Sequence, residues 1–154
     1  MKVYVAGPWV FRPDAKEHAE YLRETLRNAG YTALLPLDND IAHPNKYIAS
    51  YMIATANRDM IDKCDYVIAD ITPFRGPSAD VGTAYEIGYA DAKRKPVFLW
   101  SLDVSDYKSR VVPDGMHIED FGRCDNLMFT AGECVSKSFE AAVGALKELD
   151  HYDA

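Results

Sequence analysis

Three consecutive segments decide how this chain is organised: Tyr66-Val67-Ile68-Ala69, then Asp80-Val81-Gly82-Thr83-Ala84-Tyr85-Glu86-Ile87-Gly88-Tyr89-Ala90, then Pro96-Val97-Phe98-Leu99-Trp100. The first and third are short, continuous runs of apolar and β-branched residues, the pattern of strands covered on both faces. Residues 80–93 between them read as a helix, entered through a loop over 70–79. A strand, a helical crossover and a second strand make a unit whose strands run parallel.

The alternation continues on both sides. Lys2 to Ala6 reads as a strand closed by Gly7-Pro8, and Asp14 to Asn28 as a helix, with Leu22 and Leu26 one turn apart and Asn28-Ala29-Gly30 stopping it. Tyr31 to Leu35 is a second strand ended by Pro36, followed by an acidic loop over 37–45 and a helix from Lys46 to Lys63. Beyond Trp100, Ser101 to Asp125 is a connection with little periodicity, longer than most, of the kind used as lids, binding loops or interface elements. Leu127-Met128-Phe129 reads as a weaker fifth strand and Val135 to Leu149 as a last helix. The expectation is one domain over 1–154, an α/β, flavodoxin-like doubly wound five-stranded parallel sheet with helices on both faces. Such sheets bind ligands outside the carboxyl ends of their strands. Here those ends lead into Gly7-Pro8-Trp9, Pro36 to Asp40, Asp70 to Asp80, and Ser101 onward.

Composition narrows the function. The 154 residues are 48% hydrophobic and 27% charged, as in globular proteins. With 17 basic against 24 acidic residues the net charge is -7, and the basic residues do not cluster, which argues against nucleic acid as a partner. No run is long enough to span a bilayer, and the apolar segment after Met1-Lys2 is too short for a signal peptide, so a cytoplasmic location without membrane attachment is expected. Cys64, Cys124 and Cys134 form no C-x-x-C pair, and His18, His43, His117 and His151 are scattered. Neither a disulfide framework nor a metal site is expected.

Glu86 is the residue that calls for an explanation. Gly82 lies one turn before it, and helical side chains lean toward the N-terminus, so Glu86 reaches over a patch that Gly82 and Thr83 leave nearly bare. A flat ligand fits against that backbone. Asp59, Asp80 and Glu86 can converge on one pocket with Tyr4, Trp9 and Phe11 from the first strand and its loop. Carboxylates grouped without metal-binding histidines suit glycosyl chemistry, with an oxocarbenium-like transition state between nucleophile and acid. No G-x-x-x-x-G-K-[ST] loop is present to cradle a phosphate with magnesium.

Tyr4-Val5-Ala6-Gly7-Pro8-Trp9, Pro36-Leu37-Asp38-Asn39, Asn57-Arg58-Asp59, Ala69-Asp70-Ile71 and the run from Asp80 to Ala90 together resemble nucleoside 2-deoxyribosyltransferases, in order and over roughly residues 2 to 130. The D-V-G-x-x-x-E-x-G-Y-A element is the specific part. The resemblance implies transfer of 2-deoxyribose between nucleobases, a salvage reaction, through two displacements and a covalent glycosyl ester. It implies 2-deoxynucleosides and free nucleobases as partners and no cofactor. Residue by residue, Glu86 is similar to the nucleophile, Tyr4 to the hydroxyl that holds it, and Asp59 to the acid that protonates the departing base. Asp80 is similar to a ligand of a sugar hydroxyl, and Trp9 and Met128 to walls that stack on the base. Asn126 is similar to the amide lent to a neighbouring subunit's site, which makes a homo-oligomer part of catalysis. The Asp38 segment resembles the base-contacting loop. Asp40 stands where some relatives carry glutamine, and an ionised carboxylate only accepts, so base preference stays open. Some members also use the C-terminal carboxylate, and this sequence ends His151-Tyr152-Asp153-Ala154.

The nearest alternative is a hydrolase of the same superfamily that cleaves 2-deoxynucleoside 5′-monophosphates, with Arg75-Gly76-Pro77-Ser78 as phosphate contact. The first loop, Gly7-Pro8-Trp9-Val10, lacks the serine- and glycine-rich pocket of that group. A receiver-like signalling module with Asp70 as phosphoacceptor is a more distant reading. It lacks an acidic pair after the first strand and a lysine after the fifth.

Overall fold

A computed structural model describes residues 1–152; Asp153 and Ala154, and with them the C-terminal carboxylate, lie outside the described residues. Five strands, β1 (Lys2–Ala6), β2 (Thr32–Leu34), β3 (Tyr66–Asp70), β4 (Val97–Trp100) and β5 (Val135–Ser136), form one sheet in the order β2-β1-β3-β4-β5. All four pairings are parallel, with Tyr4 opposite Val67 and Ala69 opposite Leu99. This is the doubly wound order in which the chain reverses direction between β1 and β3, opening a crevice at their carboxyl ends.

The helices are α1 (Ala15–Asn28), α2 (Lys46–Lys63), α3 (Val81–Ala92), two single turns α4 (Tyr107–Arg110) and α5 (Leu127–Thr130), and α6 (Phe139–Tyr152). β1 sorts the two cores. Val3 and Val5 face one side, packed with Leu22 and Leu26 of α1 and Phe139 and Leu146 of α6. Tyr4 and Ala6 face the other, packed with Ile61 of α2 and Ile87 and Ala90 of α3. Period-two alternation within one strand thus assigns Tyr4 to the α2/α3 side. Among the described residues, no helix is long and apolar enough to cross a membrane.

The sequence reading needs correction after Trp100. Leu127-Met128-Phe129 is a helical turn, not a strand, because Asn126 caps it: its side-chain oxygen accepts from Met128 N at 2.9 Å. Thr130 Oγ1 closes the turn onto the carbonyls of Asp125 and Asn126. The fifth strand is Val135–Ser136, paired with Leu99 and Trp100, and the last helix begins four residues after Val135 at Phe139, where Ser138 Oγ accepts from Ala141 N. A three-residue apolar run carries no period to separate helix from strand, so capping decides it.

The long connection after β4 is strapped down rather than loose. The Arg110 guanidinium donates to Pro77 O at 3.1 Å, to Ser105 O at 2.6 Å, and to Cys124 O. One side chain therefore joins both ends of this connection to the loop between β3 and α3.

Candidate active site

Glu86 sits on the second turn of α3, where its Oε2 accepts a hydrogen bond from the Tyr4 hydroxyl. Tyr4 is fully buried, and burial followed by the facing Glu86 carboxylate holds its phenol well above its ordinary pKa, so it remains a donor. Burial pushes the Glu86 carboxyl from 4.5 up to about 7; the charge of Asp80 adds to the rise and the Tyr4 hydrogen bond opposes it. A carboxyl with its pKa near neutrality, set in a groove, is typical of functional positions.

Asp80 is the N-cap of α3, accepting from Thr83 N at 3.0 Å and Thr83 Oγ1 at 3.1 Å, both on Oδ2. Beside it, a Cβ on Gly82 would lie 3.1 Å from that same oxygen. Gly82, Tyr85 and Glu86 form one wall of a groove of about 150 Å³, and Ala54, Asn57 and Arg58 of α2 form the other. Gly7, at φ 153, closes the end of β1: a Cβ there would come within 2.9 Å of the Asp70 Cβ. Burial raises the Asp70 carboxyl, which accepts from Thr72 N at 2.9 Å. Phe11, more than half exposed, stacks on Phe74 with ring centres 5.6 Å apart, and the Arg75 guanidinium lies over both rings.

Asp59 is not among the residues that line the Glu86 groove. It lines a different groove, with Lys2, Leu34, Asn39, Ala56, Met60 and Lys63. Residues two apart on a helix point roughly 200° apart, so a helix that presents Asn57 toward Glu86 turns Asp59 away. Asn57 stands in the groove where an acid was expected, and its Oδ1 accepts from Asn39 Nδ2 at 3.3 Å. The i, i+3, i+4 spacing of Ala54, Asn57 and Arg58 was the available signal.

Trp9 also departs from expectation. It belongs to the α1/α6 core, 4% exposed, with Nε1 donating to Val5 O at 3.3 Å, and is no wall of the Glu86 groove. Asp38 is committed to structure: it pairs with Arg23 at 2.6 Å and accepts from Leu35 N. Asp40 is exposed, and it is Asn39 between them that bonds to α2. Met128 is 83% exposed on the α5 turn. Asn126 Nδ2 donates to Glu119 at 2.9 Å. Among the described residues, no cluster of three or more histidine, cysteine or acidic side chains is arranged to hold a metal ion.

The family described as nucleoside 2-deoxyribosyltransferase matches residues 3–128. A solved 2-desoxiribosyltransferase from Leishmania mexicana superposes with a TM-score of 0.84 at 36% identity, covering 96% of this chain and 97% of that one. A 2-deoxyribosyltransferase from Bacillus psychrosaccharolyticus shares the fold, with a TM-score of 0.64 at 22% identity over 96% and 90% of the two chains. An uncharacterized protein of Schizosaccharomyces pombe is 36% identical over 113 residues, 71% of this chain and 54% of that protein, so the match spans about half the length of this curated relative.

Proposed function

The chain belongs to the nucleoside 2-deoxyribosyltransferase family, and on that premise we propose that it exchanges the nucleobase of 2-deoxynucleosides by two displacements at Glu86. The observation that carries the reading is the Tyr4 hydroxyl bonded to Glu86 Oε2. That bond fixes the carboxylate and leaves Oε1 to attack the anomeric carbon across the face bared by Gly82. In the first step the Oε1–C1′ bond forms as the C1′–N bond breaks, and the departing base takes a proton from water at the open side of the groove. In the second, a nitrogen of the incoming base attacks C1′, loses its proton to water, and releases Glu86. Both bonds at Asp80 fall on Oδ2, which keeps Oδ1 for a sugar hydroxyl.

Self-association belongs to the same proposal. The groove of about 150 Å³ is smaller than most small-molecule sites, and the two helices that line it carry exposed apolar side chains, Tyr47 and Tyr51 on α2 and Val81 and Tyr85 on α3. A second copy covering that surface both buries it and enlarges the pocket. Asn126, which caps the α5 turn that carries the exposed Met128, retains one amide proton and one lone pair for the neighbour's substrate.

The experiment is to incubate the protein with a 2-deoxynucleoside and a different free base, with a control lacking the base. New nucleoside in the first mixture, with little free sugar in the second, is the expected result. Free sugar at the same rate in both mixtures, with no new nucleoside, would make the protein a hydrolase instead.

A further inference from the structure

Asp125 is 0% exposed, and among the described residues its carboxylate forms no salt bridge; three donors surround it. Ser78 Oγ donates to Oδ1 at 2.5 Å, Asn126 N donates to the same oxygen at 2.7 Å, and Ala79 N donates to Oδ2 at 2.8 Å. A buried charge is costly unless its lone pairs are satisfied, so its partners here are held firmly. Those partners lie on two separate segments. Ser78 and Ala79 end the loop that delivers Asp80, the N-cap of α3, and Asn126 starts the α5 turn.

The structure assigns to Asp125 the role of a positioning residue for sugar binding: it fixes Asp80 and Asn126 relative to each other through the backbone on either side. This rests on the proposed reading, in which both residues contact the sugar. If Asn126 serves the neighbouring pocket, Asp125 couples the geometry of one pocket to that of the next. Arg110 acts on the same joint, because its guanidinium bonds Pro77 O and Cys124 O, one residue before Ser78 and one before Asp125. A residue that only stabilised the fold would change melting temperature and lower activity independently of Asn126. A positioning residue acts in part through Asn126, and the two substitutions then add less than fully.

The test is a double-mutant cycle on the full chain with Asp125→Asn and Asn126→Ala, measuring KM and kcat for base exchange and the melting temperature of each variant. An asparagine cannot accept on both sides, so Asp125→Asn should raise KM for the 2-deoxynucleoside about tenfold with kcat changed far less. Added to Asn126→Ala, it should cost clearly less than the roughly tenfold it costs alone. Ser78→Ala, which removes one donor and leaves the two backbone donors in place, should show a smaller rise in KM with the same non-additivity, and it decides the matter if Asp125→Asn does not fold. Full additivity, or wild-type kinetics for Asp125→Asn, would overturn the positioning role while a defective Asn126→Ala left the sugar reading standing. Normal exchange by Asn126→Ala would instead overturn the sugar role of Asn126 and this inference with it.

Discussion

The Tyr4 hydroxyl of β1 donates to Glu86 Oε2 of α3, across 82 positions of sequence. Two consequences follow from the burial of both groups. The phenol stays protonated, and the carboxylate it holds is pulled toward ionisation against a desolvation that alone would raise its pKa further.

Glu86→Ala should therefore abolish exchange, by about a thousandfold or more, because a positioned nucleophile in a double displacement has no substitute. Tyr4→Phe should leave a folded enzyme whose rate rises with pH at a more alkaline midpoint, since the hydrogen bond that favours the charged form is gone. Measuring kcat/KM against pH for both checks this; an unmoved midpoint in Tyr4→Phe would mean that the hydroxyl does not tune Glu86.

In the native enzyme, activity should climb as pH passes about 7, where Glu86 ionises. Stability should run the other way. The folded carboxyl binds its proton more tightly than an unfolded one at 4.5, so its contribution is fully present below 4.5 and is lost as pH rises through about 7. Glu86→Gln, which cannot ionise, should consequently gain stability over the native protein at pH 8 and show little difference at pH 4.5. The gain is at most on the order of 3 kcal/mol, read from denaturant melts at the two pH values.

Asp59→Asn should change exchange less than about twofold, as expected for an exposed change off the site, whereas Asn57→Leu should impair it about tenfold or more, because Asn57 shares the Glu86 groove and Asp59 does not. Steady-state rates on an ordinary and a chemically activated donor decide it. A large loss in Asp59→Asn that the activated donor rescues would return the acid role to Asp59.

Glu86→Ala and Asn126→Ala chains, each defective alone, should recover activity when co-refolded. In a two-fold pair with reciprocal exchange, one site carries both lesions and the other neither. No recovery from a preparation shown to contain mixed oligomers would place Asn126 in its own chain's pocket.

Trp9→Ala should cost about 3–5 kcal/mol of stability by opening a cavity in the α1/α6 core. Trp9→Phe should keep KM within about twofold, since the ring does not line the groove. A large rise in KM with unchanged melting temperature would restore the stacking role to Trp9.

Local signals in the chain were enough to determine the strands and helices up to Trp100, the parallel doubly wound order, and the pairing of Glu86 with the bare face of Gly82. Each rests on a continuous apolar run, a helical period of 3.6, or a Gly or Pro stop that neighbouring residues carry by themselves. Helix α2 from Lys46 to Lys63 is legible in that way, whereas the capping role of Asp80 at the start of α3 appeared only in the structure. Rotation about an element's axis and capping in short turns were decided only by the tertiary structure. Asp59 and Asn57 are two residues apart and face different grooves, Tyr4 and Trp9 fall on opposite sides of the sheet, and Leu127-Met128-Phe129 is helical because Asn126 caps it. Asp125 reads as an ordinary acidic residue of a loop until folding brings Ser78 and Ala79, 47 and 46 positions away, to its two oxygens. Contacts of that range have no local period, and burial of both partners in one place is what creates them.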